Sequence, residues 1–304
     1  MNNGLVVLDE GTWRSRAEAH RRRVRQWTEP HLRRRAAGEK HPVLDFLFTY
    51  YSHRPARLER WHPGPGVVLT GDSAREYLQW SGYHEVEEGV TLDPAAFTPN
   101  RRRTAEFVLA LLTATSSRPP RLGCYGLHEW AMVYRLPEDQ VRHRGVPLRL
   151  GSAGTDAVVE SLRIRCSHFD AFRFFTEPAR PRNTLQPSRE SQLELEQPGC
   201  LHATMDLYKW CYKLEPFVPS ELMADCFELA VQVRELDMQA SPYDLSELGY
   251  QPVRVETPAG RAEFTRRQAS FAAQAAPLRQ HLIELCRELL SWDVNEPHAK
   301  YPNR

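Results

Sequence analysis

The segment from Gln197 to Tyr243 constrains the fold most, because it predicts two long helices joined by a short turn. The first helix should span Gly199 to Leu214, with Leu201, Met205, Tyr208 and Tyr212 packing on an apolar side. Polar residues at spacings of four, three and four share another face of this helix: His202, Asp206, Lys209 and Lys213. The chain therefore predicts a helix that buries one side and aligns an imidazole, an acid and two amines along the other.

The second predicted helix, Ser220 to Met238, places an acid close to its buried side. Ser220 follows Pro219 and is a good N-cap, and the apolar residues recur at helical spacing down to Leu236. Asp237 lies near that apolar face, where a carboxylate costs free energy unless it is paired or functional. Arg234, three residues earlier, is its predicted partner.

Composition bounds the class of protein. With 304 residues, 41% hydrophobic and 26% charged, the chain fits one large or two small globular domains. It has no apolar run of about 18 residues and no basic-then-apolar leader, so we expect a cytoplasmic protein without a membrane partner. Six scattered cysteines without a Cys-x-x-Cys pair predict reduced core thiols.

Positive charge is concentrated near the start of the chain. Residues 14–40 hold ten Arg or Lys against three Glu, a net +7 that leaves −6 on the rest of a chain whose total is +1. A solvated face explains this charge as well as phosphate binding does. Under the second interpretation the phosphate-binding residues are Arg21, Arg22, Arg23, Arg33, Arg34 and Arg35.

Hydrophobic periodicity predicts an α+β fold, predominantly α-helical, with a small mixed or antiparallel sheet. The strands should lie near residues 67, 148, 160 and 254, and a helix over residues 12–28 should end at Pro30. The domain prediction is a basic helical N-terminal arm over residues 1–40, a single globular domain over 41–290 and a flexible tail over 291–304.

Four aromatic-rich segments contain ionisable residues that are expensive to bury unless they are paired. We therefore expect them to converge on one polar pocket. The groups are Asp45 with Tyr50 and Tyr51, His128 with Glu129, His168 with Asp170 and Arg173, and His202 with Asp206. For Asp45, the partners expected from the sequence are Arg54, Arg57 or Arg60.

Two chemistries suit such a pocket. Two histidines and one carboxylate hold non-haem iron, with His128, His168, Asp170 and His202 as the ligand candidates. Cleavage of an N-glycosidic bond instead needs a carboxylate and aromatic surfaces that stack a base. Its catalytic candidates are Asp45, Asp170, His168, His202, Asp206 and Asp237. Its substrate-binding candidates are Tyr50, Tyr51, Trp61, His128, Glu129, Arg173 and Lys209, with Trp130 as a further stacking surface.

Several other chemistries lack their motifs. The chain has no Gly-x-Ser-x-Gly, no phosphate loop and no dinucleotide-binding glycine pattern. The zinc-hydrolase motif His-Glu-x-x-His is also missing, because Met132 follows His128 and Glu129 where the second histidine belongs.

Three stretches, His41 to Tyr51, Gly126 to Tyr134 and Glu196 to His202, resemble an actinobacterial family labelled 3-methyladenine DNA glycosylase. The resemblance covers nearly the whole chain. It implies a DNA-repair hydrolase without a cofactor, whose partner is nucleic acid or a nucleotide-like ligand. Two alternatives stay open: an oxygenase-like enzyme that uses iron on a small molecule, and a nucleic-acid-binding module without catalysis.

Overall fold

Helices form most of the protein. A computed structural model describes residues 5–137, 140 and 145–292. The helices are α1 (Glu10–Ala36), α2 (Phe46–Tyr50), α3 (Pro55–Leu58), α4 (Pro99–Ser116), α5 (Leu127–Ala131), α6 (Gly151–Ser161), α7 (Phe169–Phe172), α8 (Gln192–Leu195), α9 (Leu201–Lys213), α10 (Ser220–Gln239) and α11 (Pro258–Leu290). The prediction of an α+β, mostly helical fold with a small mixed sheet is confirmed.

The sheet has four strands in the order β1-β2-β4-β3, where β1 is Val6–Leu8, β2 Val67–Leu69, β3 Tyr83–Val86 and β4 Gly89–Leu92. Strands β1 and β2 are parallel, and the other neighbours are antiparallel. Strand β4 begins at Gly89, where a Cβ would lie 2.0 Å from the carbonyl oxygen of Leu69 in β2. Only glycine allows the two backbones to approach this closely.

The core is built around α9, which packs against both α10 and α11, while α4 packs against α11. Apolar residues of α10 recur at spacings of three and four, from Leu222 through Leu229 to Leu236, and all three are buried. Because α9 has helices on more than one side, its polar residues His202 and Asp206 are buried as well. The predicted helix pair over Gln197 to Tyr243 is therefore present, but His202 and Asp206 of its polar face point inward, while Lys213 is exposed.

Helix α1 continues through Pro30, so the prediction of a helix that ends there was wrong. Proline removes one backbone hydrogen bond and disfavours the preceding helical residue. Tertiary contacts hold both sides of it: the Thr28 hydroxyl donates to Glu59 at 2.6 Å, and His31 Nδ1 lies 2.9 Å from an oxygen of Asp45.

Helix α1, which forms most of the predicted N-terminal arm, packs against the main body of the protein. Trp13 and Val24 belong to the hydrophobic core. Arg16 pairs with Glu221 of α10 at 2.8 Å, and Arg23 pairs with Asp225 of α10 at 2.7 Å. The basic face of α1 therefore partly neutralises acids of α10.

Three of the predicted strands were also wrong. Residues near 160 lie in α6, whose Thr155, Val158 and Val159 are buried at helical spacing. The segment near 148 makes only an isolated bridge from Leu148 to Tyr243, and the segment near 254 has no strand. β-Branched residues favour strands only weakly, and tertiary packing overrode that preference in α6.

The end of the chain is described only in part. Trp292 packs its ring near Phe97 and Phe217, and its carbonyl accepts a hydrogen bond from Arg102 at 2.7 Å. Most of the predicted tail, residues 293–304, lies outside the described residues. None of the helices within 5–137, 140 and 145–292 combines the length and the apolar character that crossing a bilayer requires.

A buried carboxylate fixes the end of α9 to the segment after α2. Glu215 Oε2 lies 3.0 Å from His53 Nε2, and Oε1 lies 3.3 Å from His62 Nε2. Each imidazole uses its other nitrogen on a tyrosine hydroxyl, His53 on Tyr208 at 2.7 Å and His62 on Tyr83 at 2.9 Å. Burial favours the neutral acid, but the hydrogen bonds from His53 and His62 outweigh it and hold the pKa of Glu215 well below its ordinary value.

We expect Glu215→Gln to lower the free energy of unfolding by about 3–5 kcal/mol, because it breaks a buried, hydrogen-bonded charge cluster. Urea unfolding at pH 7 measures this loss. Since the folded-state pKa is depressed, the stabilisation is present above the unfolded pKa of about 4.3 and is lost as the pH falls below it. The difference between the two proteins should therefore shrink in acid. Glu228→Gln, which removes an exposed partner of Arg23, is the control and should cost under about 1 kcal/mol.

Candidate functional site

The carboxylate of Asp206 on α9 is the centre of a buried polar network. The Tyr51 hydroxyl donates to Oδ1 at 2.8 Å, and His168 Nε2 lies 3.2 Å from Oδ2. Lys209, one turn further along α9, makes a very short contact with the same Oδ2. Lys209 also lies 3.5 Å from Asp170. Residues from α2, α7 and α9, together with their flanking positions, thus meet around one acid.

Within this network, Asp206 and Lys209 stabilise each other in their ionised forms. Burial alone would raise the pKa of Asp206, but Lys209 and His168 bring it well below its ordinary value. Burial would likewise lower the pKa of Lys209, but Asp206 and Asp170 raise it above its ordinary value. Lys209 therefore stays an ammonium at neutral pH and cannot serve as an amine nucleophile.

A second cluster lies beside the first and contains His128 of α5, His202 of α9 and Asp237 of α10. His128 Nε2 is 2.8 Å from Asp237 Oδ1. The His128 and His202 rings are 4.6 Å apart between centroids, and the His202 ring stacks on His168 at 5.2 Å. The stack joins the two clusters, so the predicted pairs at 128, 168 and 202 converge as expected.

Arg234 compensates for the charge of the second cluster. Its Nη1 donates to Glu129 of α5 at 2.8 Å. It also donates to Asp237 Oδ2 at 3.2 Å, and this pair is the one that the spacing of three residues within α10 predicts. Burial disfavours the imidazolium form of both histidines. At His128 the Asp237 carboxylate outweighs burial and raises the pKa. At His202 burial and the neighbouring His128 hold the pKa well below its ordinary value. His202 is therefore the neutral imidazole of this pair.

A cavity of about 570 Å³, here called the tyrosine cavity, opens beside the Asp206 network. Its wall includes Tyr50, Tyr51, Tyr212, Asp170, Arg173 and Lys213. Burial, together with nearby carboxylates, raises the pKa of Tyr50 to about 12, and burial raises that of Tyr212 to about 12. Both phenols therefore stay protonated at neutral pH and offer aromatic faces and hydroxyl groups to a ligand.

A separate cavity of about 500 Å³, here called the thiol cavity, adjoins the second cluster. Its wall includes Cys124, Cys166, Cys200, His128, His202 and Arg165. Burial raises the pKa of Cys166 to about 12 and that of Cys200 well above its ordinary value, so both are thiols at neutral pH. The two histidines of this wall are among the site residues that the sequence predicts.

Some predicted site residues lie elsewhere. Asp45 does not join the pocket: it is buried, is bonded to His31 and Arg34, and accepts from the backbone N–H of His41 at 2.8 Å. Its side-chain partners come from α1 and not from Arg54, Arg57 or Arg60, because α1 packs beside α2.

The two tryptophans are also unsuited to stacking a base. Trp61 is 2% exposed, its ring is covered by Arg16, and it donates to Glu221 at 2.9 Å. Trp130 is fully buried and donates to the carbonyl of Ala240 at 2.8 Å. Both are core residues because their indole N–H groups reach partners inside the protein.

The predicted phosphate-binding arginines divide into two groups. Arg21, Arg23 and Arg34 pair with acids of the protein. The side chains of Arg22, Arg33 and Arg35 are exposed on α1. None of the six contributes to the wall of the tyrosine cavity or the thiol cavity.

Several groups around the site were not predicted from the sequence. Arg189 and Tyr212 contribute to the tyrosine cavity, and Glu196, whose pKa is raised by burial, lies 3.7 Å from His168. The cysteines of the thiol cavity were expected only as core residues.

No protein-family model matches the chain, and searches of curated proteins and of solved structures found no match. The resemblance to 3-methyladenine DNA glycosylases therefore stays a prediction. Function has to be inferred from the geometry of the two cavities.

We expect Tyr51→Phe to lower the free energy of unfolding by about 1.5–3 kcal/mol, because it removes a buried hydrogen bond to a carboxylate. Tyr50→Phe is the matched control: its ring lies on the neighbouring residue, and its hydroxyl has no hydrogen bond to the described residues. Chemical denaturation of both variants measures the difference. Equal losses would show that Asp206 does not depend on the Tyr51 hydroxyl.

Proposed function

We propose that the protein is a nucleobase N-glycosylase, or a closely related hydrolase, that cleaves an N-glycosidic bond in the tyrosine cavity. One observation carries this proposal. The Asp170 carboxylate lies in the wall of a cavity built from tyrosines and cations, 3.2 Å from Arg173 Nε and 3.5 Å from Lys209 Nζ. Its side chain is 23% exposed, so a ligand and water can reach it.

The chemistry needs one carboxylate at the sugar. Water adds to the anomeric carbon, the bond to the base breaks, and its electron pair leaves with the base. An alkylated base that carries a positive charge leaves as a neutral molecule and so requires no acid. Asp170 accepts the proton released by water and stabilises the positive charge that develops on the sugar.

Lys209 positions Asp170 in this scheme. Its ammonium group lies between Asp170 and Asp206, and Asp206 is itself held by Tyr51 and His168. Because Lys209 stays protonated, the proposal is hydrolysis by water and not attack by an amine. The buried network behind Lys209 therefore fixes the carboxylate that faces the cavity.

The wall of the cavity suits a base with attached phosphate. Tyr50 and Phe46 are stacked rings, 5.0 Å apart with planes 11° from parallel, and both contribute to the wall. Aromatic faces of this kind bind extruded bases by stacking. Four cationic side chains against one acid, Asp170, make the wall positive: Arg173, Arg189, Lys209 and Lys213. Phosphate groups are attracted by such a surface.

We expect Asp170→Asn to lower the rate of base release from alkylated duplex DNA by at least about 100-fold, because it removes the proton acceptor. Since Asp170 is partly exposed, the free energy of unfolding should change by less than about 1 kcal/mol. Release of free base, measured by chromatography, and thermal unfolding check the two statements. Asp225→Asn, which removes another acid paired with an arginine, is the control and should keep full activity.

Three results would contradict the proposal in different ways. No base release by the unaltered protein would exclude the hydrolysis, and binding without release would favour the non-catalytic nucleic-acid-binding alternative. Full activity in Asp170→Asn would place the reaction elsewhere. A large loss of stability would make Asp170 a structural residue.

A second prediction locates the phosphate-binding groups. We expect Arg189→Ala with Lys213→Ala to weaken binding of alkylated DNA and to reduce the slope of log K against log salt by about 1 for each phosphate that is no longer neutralised. Arg33→Ala with Arg35→Ala removes the same charge from α1 and should have little effect, because these residues lie outside the cavity. Fluorescence anisotropy at several salt concentrations measures both slopes. The reverse order would assign DNA binding to α1.

A further inference from the structure

The cluster of His128, His202 and Asp237 has a composition and spacing that the proposed hydrolysis does not use. One ligand atom from each residue lies within 4.8 Å of the others. All three side chains are buried, with exposures of 3%, 6% and 0%. A buried set of two imidazoles and one carboxylate is a ligand set that transition metals use in proteins.

The contact between His128 and Asp237 has the geometry of two ligands and not of a hydrogen bond. Nε2 and Oδ1 are 2.8 Å apart, yet neither atom has a hydrogen-bond partner within the described part of the chain. This distance suits a hydrogen bond, so it is the angle that does not: the oxygen lies away from the direction in which an Nε2–H would donate. Two ligands at about 2.0–2.1 Å from one metal are separated by about 2.9 Å at the right angles of an octahedral site and by about 3.4 Å in a tetrahedral site, so the separation observed here is closer to the octahedral one.

The surroundings hold Asp237 in a suitable orientation. Arg234 binds Oδ2 at 3.2 Å, which leaves Oδ1 directed toward the histidines. Glu129 pairs with the same guanidinium at 2.8 Å, so the charge of Arg234 is shared between two acids. Carboxylates and histidines that bind metals are typically fixed by partners of this kind.

We infer that His128, His202 and Asp237 bind one divalent transition-metal ion of the kind that imidazole and carboxylate share, such as Zn²⁺ or Fe²⁺. His128 and His202 both contribute to the wall of the thiol cavity, so a ligand in that cavity reaches the ion. Three protein ligands leave coordination positions for water or a small molecule. This set replaces the predicted one, because His168 faces Asp206 and Asp170 belongs to the tyrosine cavity.

Cobalt binding to the full-length protein tests the inference. After removal of metal with a chelator, Co²⁺ titration followed by visible absorption should show one equivalent bound. It should lack the strong near-ultraviolet band of thiolate ligands, because the ligand set contains no cysteine. Inductively coupled plasma mass spectrometry of the protein as purified, and separate titrations with Zn²⁺ and with Fe²⁺ under argon, distinguish the two ions.

Variants assign the binding to these residues. His202→Gln and Asp237→Asn should each weaken Co²⁺ binding by more than about 100-fold, beyond the 10- to 100-fold typical of losing a group that only supports a ligand. His20→Gln is the control and should bind as the unaltered protein does. His20 is a buried histidine of α1 whose Nε2 lies 2.8 Å from the carbonyl of Leu58.

The stability of the unaltered protein provides a check that needs no variant. Saturating Zn²⁺ should raise its melting temperature, because an ion that binds only the folded state stabilises it. If Asp237→Asn fails to fold because Arg234 loses a partner, Co²⁺ binding by His202→Gln and the melting temperature of the unaltered protein in Zn²⁺ still test the inference. Three results would overturn the inference. The first is Co²⁺ uptake below one equivalent together with no rise in melting temperature in Zn²⁺. The others are a strong thiolate band in the Co²⁺ spectrum and unchanged Co²⁺ binding in His202→Gln.

Discussion

The burial of α9 is the constraint on which the site depends. Helices α10 and α11 pack against α9, so Asp206 has almost no access to water and must be solvated by the protein. Tyr51, His168 and Lys209 supply that solvation from three parts of the chain. Because Tyr51 and Lys209 also belong to the wall of the tyrosine cavity, the interaction that stabilises a buried acid also shapes that cavity. An apolar residue at position 206 would leave the Tyr51 hydroxyl and His168 Nε2 buried without their acceptor, which costs free energy.

Carboxylates in this protein differ in how fully their oxygens are hydrogen-bonded: Glu196 Oε1, Glu221 Oε2 and Asp237 Oδ1 are buried without a hydrogen-bond partner among the described residues. Both oxygens of Glu215 and both oxygens of Asp45 have hydrogen-bond partners. Asp237 Oδ2 accepts a hydrogen bond from Arg234, whereas Oδ1 lies 2.8 Å from His128 Nε2 without a hydrogen bond to any of the described residues. An unsatisfied buried oxygen costs free energy, so its retention next to two imidazoles favours a role that supplies the missing partner. Asp170 differs again, because it is paired and still reaches a cavity.

Local pattern predicted the long helices and the ion pair of Asp237 with Arg234, since both depend on spacing along one helix. It failed where tertiary contacts decide. Asp45 found its partners on α1, not downstream, and Val158 and Val159 were drawn into a helix by packing. The polar stripe of α9 was visible in the sequence, but the burial of His202 and Asp206 depends on contacts with Tyr51, His128 and His168 from distant parts of the chain. The convergence of the histidine segments followed from the cost of burying charge, whereas the division into two cavities follows from packing between distant helices.

The geometry of α9 also keeps the two proposals separate. His202 lies in its first turn beside the thiol cavity, and Lys209 lies seven residues later beside the tyrosine cavity. At 1.5 Å per residue these positions are about 10 Å apart along the axis. A single base cannot contact both, so release of a base at Asp170 requires no ion at His202. The proposed metal site and the proposed hydrolysis site are therefore separate, and α9 contributes His202 to the first and Lys209 to the second.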